Sequence, residues 1–303
     1  MKVHQALWKG GLSMKKVHEV QSQNTMSQWP IQVKRPEQIP DSFSEALDVE
    51  FGPAWPYTVF IPPTKWDAAG KRPKVFSMVE DGIMYFEDMK TEVKRVFYPF
   101  DGILYIEIGR MLLSSWMTIH GMVNGQYRQS TISYNTVRDD LFDPIIQTIR
   151  ERISSSEMLL EGQNGERLND LKQLDMKFLN YTKNALLPGE RIINIIYQPS
   201  VQEANQQSFT DLPEHTHAVV LTDNELILIK EDNHKYKNIH SNYGVVKDFI
   251  PLENIANMTT EEAAASLKMH VNLNDKDELD RTFSGDQSDK LSQLIGKFKR
   301  LMH

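Results

Sequence analysis

Phe97-Tyr98-Pro99-Phe100-Asp101-Gly102-Ile103 recurs as Phe249-Ile250-Pro251-Leu252-Glu253-Asn254-Ile255. The shared pattern is F-x-P-[FL]-[DE]-x-I. Matching text follows each copy. Met117-Thr118-Ile119-His120 precedes Asn124, and Leu267-Lys268-Met269-His270 precedes Asn274. The chain therefore reads as two versions of one domain. Each position of the phrase has a structural reading. Phe97 and Phe249 are expected to face the core. Pro99 and Pro251 lack a backbone donor and belong at a strand edge or bend. Asp101 and Glu253 sit where a turn needs a local acceptor. Ile103 and Ile255 begin the next buried strand.

Outward from the first copy, residues 46–153 read as strands closed by one helix. Tyr57 to Ile61 is a short apolar run stopped by Pro62-Pro63. Val75 to Val79 and Ile83 to Phe86 flank Glu80-Asp81-Gly82, and Asp-Gly there predicts a tight two-residue hairpin with positive φ angles. Val93 to Tyr98, Ile103 to Ile108, Leu113 to Ile119 and Gln129 to Ser133 supply further strands at regular spacing. Asp143-Pro144 predicts a helix start, with Asp as N-cap and Pro at the first position. Ile145, Ile146, Ile149 and Ile153 share one face of it.

The second copy repeats this plan in residues 186–303. Ile192 to Tyr197 is the first strand. Ala218 to Leu221 and Glu225 to Ile229 form the hairpin around Thr222-Asp223-Asn224, with Asp-Asn standing for Asp-Gly. A final helix is expected from near Asp286, with Leu291, Leu294, Ile295, Phe298 and Leu301 as its apolar stripe. A polar insertion between Glu231 and Gly244 holds His234 and His240. Residues 154–185 read as linker followed by a connector helix carrying Leu168, Leu171, Leu174, Phe178 and Leu179. Residues 1–45, punctuated by Pro30, Pro36 and Pro40, read as a polar, extended or partly disordered arm. Met14, followed by Lys15-Lys16, is a second candidate start.

Composition narrows the classes. A chain of 303 residues holds two ordinary domains. With 40% hydrophobic and 25% charged residues it reads as a water-soluble globular protein. No apolar run reaches membrane-helix length, and no secretory signal is expected at the N-terminus. There is no cysteine, which excludes disulfides and thiolate chemistry. A cytoplasmic setting is expected. Net charge is −7. Residues 46–153 carry 12 Lys+Arg against 14 Asp+Glu, and residues 186–303 carry 12 against 18. That sign argues against a general nucleic-acid binder and against bulk attraction to anionic membranes.

About seven strands and a C-terminal helix in each half resemble the pleckstrin-homology-like (PH-like) fold, and in particular bacterial PH-like domains. The resemblance includes Leu186-Leu187-Pro188-Gly189-Glu190, the Thr222 to Ile229 hairpin and Ile250 to Ile255. It covers both halves and not residues 1–45. It implies a mainly β chain with helices: two barrels of two near-orthogonal antiparallel sheets, each capped by its helix, joined by the connector. It also implies self-association, since bacterial PH-like domains are known to oligomerise. PH-like domains serve unrelated ligands, so the resemblance leaves activity open.

The best candidate ligand site is a basic loop: Lys65, Trp66, Lys71, Arg72 and Lys74. In PH domains that bind inositol phosphates the equivalent loop supplies the phosphate contacts, by charge-assisted hydrogen bonds. Here Pro73 interrupts the family's basic pattern and lysine ends it. The matching loop of the second half, Ser200 to Pro213, has no Lys or Arg. The structural alternative is a solvated loop. His215 and His217, two apart, would share one strand face, with His234 and His240 nearby, but convergence on a metal is not specified and no cofactor is expected. His120 and His270, at matching positions, are expected to end strands and bond backbone. Asp139, Asp140 and Asp143 fit a helix N-terminus. Nucleophile-elbow, phosphate-loop and dinucleotide motifs are absent, so no enzyme is expected. Two functions remain: a protein-interaction or self-association module, or peripheral binding of an anionic lipid or phosphorylated ligand through the basic loop.

Overall fold

The computed structural model describes residues 29–51, 55–63, 72–154, 164–200, 215–232, 244–263, 266–274 and 278–302. Five strands pair antiparallel in chain order: β1 (Ile31–Gln32), β2 (Tyr57–Ile61), β3 (Lys74–Val79), β4 (Gly82–Asp88) and β5 (Val93–Pro99). Helix α1 (Ser44–Phe51) lies between β1 and β2 in the chain. Next come β6 (Ile103–Met111), β7 (Ser114–Val123), β8 (Gln126–Asn135) and α2 (Asp139–Ile153). The connector holds α3 (Gly165–Leu174) and α4 (Met176–Lys183). The second half contributes β9 (Ile192–Gln198), β10 (His217–Thr222), β11 (Glu225–Asp232) and β12 (Gly244–Pro251). It continues with β13 (Ile255–Ala263), β14 (Ser266–Leu273), β15 (Glu278–Ser284) and α5 (Ser288–Leu301).

The halves are not separate bodies on a tether. β6 of the first pairs antiparallel with β12 of the second, in register from Met111↔Gly244 to Ile106↔Phe249. One seven-stranded sheet results, in the order β8-β7-β6-β12-β11-β10-β9. A three-stranded sheet, β13-β14-β15, completes the second half. Among the described residues no sheet closes into a barrel.

Both faces of β10 and β11 are buried, and successive side chains go opposite ways. Ala218, Val220, Ile227 and Ile229 join the core of the first half, with α2 and α4. Val219, Leu221, Leu226 and Leu228 pack under β13–β15 and α5. Leu291, Leu294 and Phe298 of α5 are buried there, whereas Leu301 is exposed.

The phrase divides the expectation: Phe249 is buried as expected, though in the core of the first half, and Phe97 is half-buried against a separate cluster. Tyr98 and Ile250 occupy the cores of their own halves. Phe97 and Phe249 point to the opposite sheet face, which something else must cover. Over Phe97 that cover is chain from 33–51: Val33, Ile39, Phe43 and Leu47 pack with Val75, Met84 and Phe86. Over Phe249 it is the first half itself. The arm reading therefore fails for residues 31–45. Irregular turns space the apolar anchors there, so no period shows, and α1 straddles the expected boundary at 45/46. Residues 1–28 lie outside the described residues.

Three local readings also shift. The first hairpin turns at Glu80-Asp81, because Val79 pairs with Gly82. Gly82 has no positive φ. A Cβ there would lie 2.2 Å from the Tyr98 carbonyl oxygen, so glycine serves close strand approach. Helix α2 starts at Asp139 and carries Pro144 inside it, because buried Leu141 and Phe142 favour the extra turn. The connector breaks at Asp175, whose carboxylate accepts from the amides of Lys177 and Phe178 and caps α4.

Phe43 is fully buried in the outer cover. Phe43→Ala is expected to lower unfolding free energy by about 3–5 kcal/mol in urea titrations. A loose arm would show no change.

Candidate functional site

The most concentrated buried chemistry lies where the halves meet. Arg150, near the end of α2, reaches Glu225 at the start of β11. Its Nη2 and Nε donate to Glu225 Oε1 at 2.8 and 3.1 Å, and Nε lies 3.2 Å from Oε2. The guanidinium carbon stands 3.9 Å from the centre of the Phe249 ring. Glu190 adds a second carboxylate, 3.7 Å from Arg150 Nη2. Both carboxylates and the guanidinium are almost wholly buried.

Local structure sets each group. Gly189, at φ +78°, makes the Leu-Pro-Gly-Glu turn that aims Glu190 inward. Glu190 Oε2 accepts from the Leu187 amide at 2.7 Å and Oε1 from the Thr222 hydroxyl at 2.6 Å. Thr222 Oγ1 in turn accepts from the amides of Asn224 and Glu225, which fixes the turn carrying Glu225. Burial, then the Glu225 charge, pushes the Glu190 carboxyl up to about 7 against the pull of Arg150. Burial raises Glu225 too, opposed by Arg150. Lys247 on β12 is pushed down to about 7 by burial, with Arg110 and Arg150 acting the same way.

The joint uses positions where the repeats differ. Phe100 donates its amide to Asp81 and Leu252 to Asn224, so those acceptors match. Gly82, paired with Pro99, then matches Glu225, paired with Pro251. Likewise Gly102 matches Asn254, whose Nδ2 donates across the joint to the Ile103 and Leu104 carbonyls at 3.0 and 2.9 Å. Glycine in the first half has become a bridging side chain in the second, twice. The sequence reading assigns no role to Asn254, although the spacing of the phrase aligns it with Gly102; aligning Asp-Gly with Asp-Asn leaves Glu225 one residue out of step.

Of the basic loop, Lys65, Trp66 and Lys71 lie outside the described residues. Arg72 Nη1 lies 2.8 Å from Met89 Sδ and 4.0 Å from Glu87 Oε1. Lys74 begins β3, is buried, and stands opposite Glu87 in register.

Among the histidines, His217 is fully buried, with Nδ1 2.9 Å from the His215 carbonyl. Burial pushes it down to about 4. His234 and His240 lie outside the described residues. His120 and His270 sit within β7 and β14, not at strand ends, and meet side chains rather than backbone. His120 Nδ1 is 2.7 Å from the Tyr127 hydroxyl, and its ring stacks on Tyr105 at 4.0 Å. His270 Nδ1 meets Glu278 and, at 2.9 Å, Asp280, while Nε2 is 3.4 Å from Glu261. Burial opposes the charged ring, yet these carboxylates together raise its pKa. Glu278 and Asp280, two apart on β15, are brought to His270 by pairing that the sequence reading did not foresee. Lys268 pairs with Asp280 at 2.5 Å. Asp139 and Asp143 both take Arg110, at 3.0 Å each.

No protein-family model matches the chain, and no curated protein does.

Arg150→Met leaves Glu225 buried without its counter-charge. It is expected to lower stability by about 3–5 kcal/mol in denaturant titrations, far more than an exposed arginine. Glu190, raised in the fold, binds its proton more tightly there than in the unfolded chain. The stability it contributes is full below its ordinary pKa and is lost as pH rises through about 7. Glu190→Gln should therefore flatten the fall in melting temperature across that interval. A profile identical to that of the parent protein would remove Glu190 from the joint's energetics.

Proposed function

We propose that the chain is a non-catalytic protein-interaction module made of two PH-like units, docking a protein partner or a second copy of itself through strand edges. The observation that carries this reading is the β6–β12 pairing: two copies of one unit associate edge to edge within the chain. An antiparallel edge pair gives main-chain affinity, and the facing side chains give choice of partner. Each half runs four strands, three strands and a helix, which is the order of a PH-like unit.

Among the described residues no strand pairs with a further edge of the same sheet. β8 ends it, and Gln126, Tyr127, Arg128 and Gln129 are all exposed. At the far end of that edge is an apolar tip. Leu112 and Leu113, in the β6–β7 turn, are 64% and 66% exposed, and Val137 is 54% exposed. The Thr136 amide donates to the Leu113 carbonyl, so the three are neighbours. Leu112 holds φ +54°, a region that leucine seldom adopts. A solvated turn would favour Asn or Gly there. Exposed leucines on a strained turn beside that edge suit a protein surface. Glu190, Glu225, His217 and Lys247 are all displaced from ordinary protonation chiefly by burial, which favours a packing role over turnover. No helix among the described residues is long and apolar enough to cross a membrane. The negative net charge favours a protein partner over nucleic acid and leaves membrane contact peripheral at most.

Light scattering at several protein concentrations tests the reading. The parent protein is expected to form a defined oligomer that resists salt, and Leu113→Asp with Val137→Asp to shift it to monomer without lowering the melting temperature. An oligomer unchanged by both substitutions would refute the assigned surface.

A further inference from the structure

One histidine and several carboxylates converge on the outer face of the three-stranded sheet. β14 alternates, with Leu267, Met269, Val271 and Leu273 buried and Lys268, His270 and Asn272 turned outward. On β15, Asp280 stands directly opposite His270, and Glu278 lies two residues before it on the same face. One ligand atom from each of His270, Glu278 and Asp280 falls within 4.8 Å of the others. His270 Nδ1 meets Glu278 and lies 2.9 Å from Asp280 Oδ1. Nε2 is 3.4 Å from Glu261 of β13.

The first half supplies a control for this arrangement. His120 matches His270. Its register partner on β8 is Gln129, with Tyr127 two residues before. Its partner on the other side is Tyr105, where His270 has Thr259. Neutral groups therefore serve His120: the Tyr127 hydroxyl at 2.7 Å and the stacked Tyr105 ring. In the second half Glu278 stands for Tyr127, Asp280 for Gln129, and the stacking ring is gone. The fold holds a histidine at this position without either carboxylate, so folding alone does not account for their convergence.

The surroundings favour a shared cation over a simple ion pair. One proton on Nδ1 cannot align on two carboxylates at once. Asp280 Oδ1, closed to solvent, has no aligned donor among the described residues although it faces that nitrogen. Glu261 at Nε2 gives the imidazole the outer carboxylate that commonly orients a metal-bound histidine. Lys268 takes Asp280 Oδ2 at 2.5 Å and leaves Oδ1 to the cluster. Three carboxylates against one ammonium leave two negative charges beside a neutral imidazole, which a divalent ion cancels.

We propose that His270, Glu278 and Asp280 bind a divalent transition-metal ion, with Glu261 as the positioning residue behind the imidazole. One nitrogen and two carboxylate oxygens suit zinc, which accepts both ligand types and leaves its fourth position to water in three-ligand sites. Calcium and magnesium prefer oxygen throughout. The ion would clamp β15 to β14. The site shares no residue with the β8 edge or the apolar tip, and it stands independently of the docking proposed there.

The test is calorimetric titration of the whole chain, freed of metal by a chelator, with zinc chloride and with magnesium chloride. The parent protein is expected to take up zinc and to give no heat with magnesium. His270→Gln, and Glu278→Gln with Asp280→Asn, should each weaken zinc uptake by about 100-fold or more, beyond the loss typical of an outer partner. Glu261→Gln should weaken it by about 10-fold while keeping the metal-free melting temperature. His234→Gln with His240→Gln should keep it, which separates the site from stray histidine binding. No uptake would overturn the proposal. So would uptake that survives His270→Gln, or that disappears with His234 and His240. Should a variant fail to fold, the parent protein still decides by NMR: zinc must shift the amide resonances of His270 and Asp280, and unshifted resonances would refute the site.

Discussion

The pairing of β6 with β12 is the constraint on which the rest of this structure depends. It converts two repeats into one sheet and buries both faces of β10 and β11. Without it, Ile227, Ile229, Phe249 and Val245 would lose the first-half cover that they share with the connector helices α3 and α4. The first half solves the same problem with residues 33–51. One fold thus hides the same sheet face in two ways, once with its own chain and once with its sibling.

A buried ion pair is an expensive clasp for such a joint. Removing Arg150 and Glu225 from water costs several kcal/mol per ion, and the attraction between them roughly offsets that. Apolar packing would hold the halves as firmly. What the clasp adds is register. Strand pairing shifted by one residue exchanges the two faces of β12, and it would also leave Glu225 without Arg150. Asn254, bonding two successive carbonyls of β6, penalises the same slip. Both devices stand where the first half has glycine, and Gly82 and Gly102 have no room for a side chain. The asymmetry makes the joint one-directional: the second half clasps the first.

Much of the fold was legible because repetition is a local signal. The phrase at 97–103 and 249–255, the strand spacing and the final helix, expected from near Asp286 and found from Ser288, all appear in the sequence. What was hidden was non-local or aperiodic. Nothing in Ile103 to Met111 marks its outer edge as paired. The cover segment 31–51 has apolar anchors without a period. A signal for the joint did exist. Ala218 to Leu221 and Leu226 to Ile229 are uninterrupted apolar runs, whereas a half-exposed strand alternates, so both faces had to be covered. The carboxylates around His270 converge across a strand pair, and single-chain spacing does not reveal such neighbours. Only Arg72 and Lys74 of the basic loop can be compared with the structure, and Lys74 is buried.

All five tryptophans, Trp8, Trp29, Trp55, Trp66 and Trp116, precede residue 154, so intrinsic fluorescence reports the first half alone. Far-UV circular dichroism reports both halves. Urea unfolding of the intact chain, followed by both signals on one sample, weighs the joint directly. A shared sheet with a common buried clasp requires the two curves to coincide in midpoint and slope. A fluorescence transition separated from the dichroism transition would mean that the halves unfold independently, and that the β6–β12 seam does not join them.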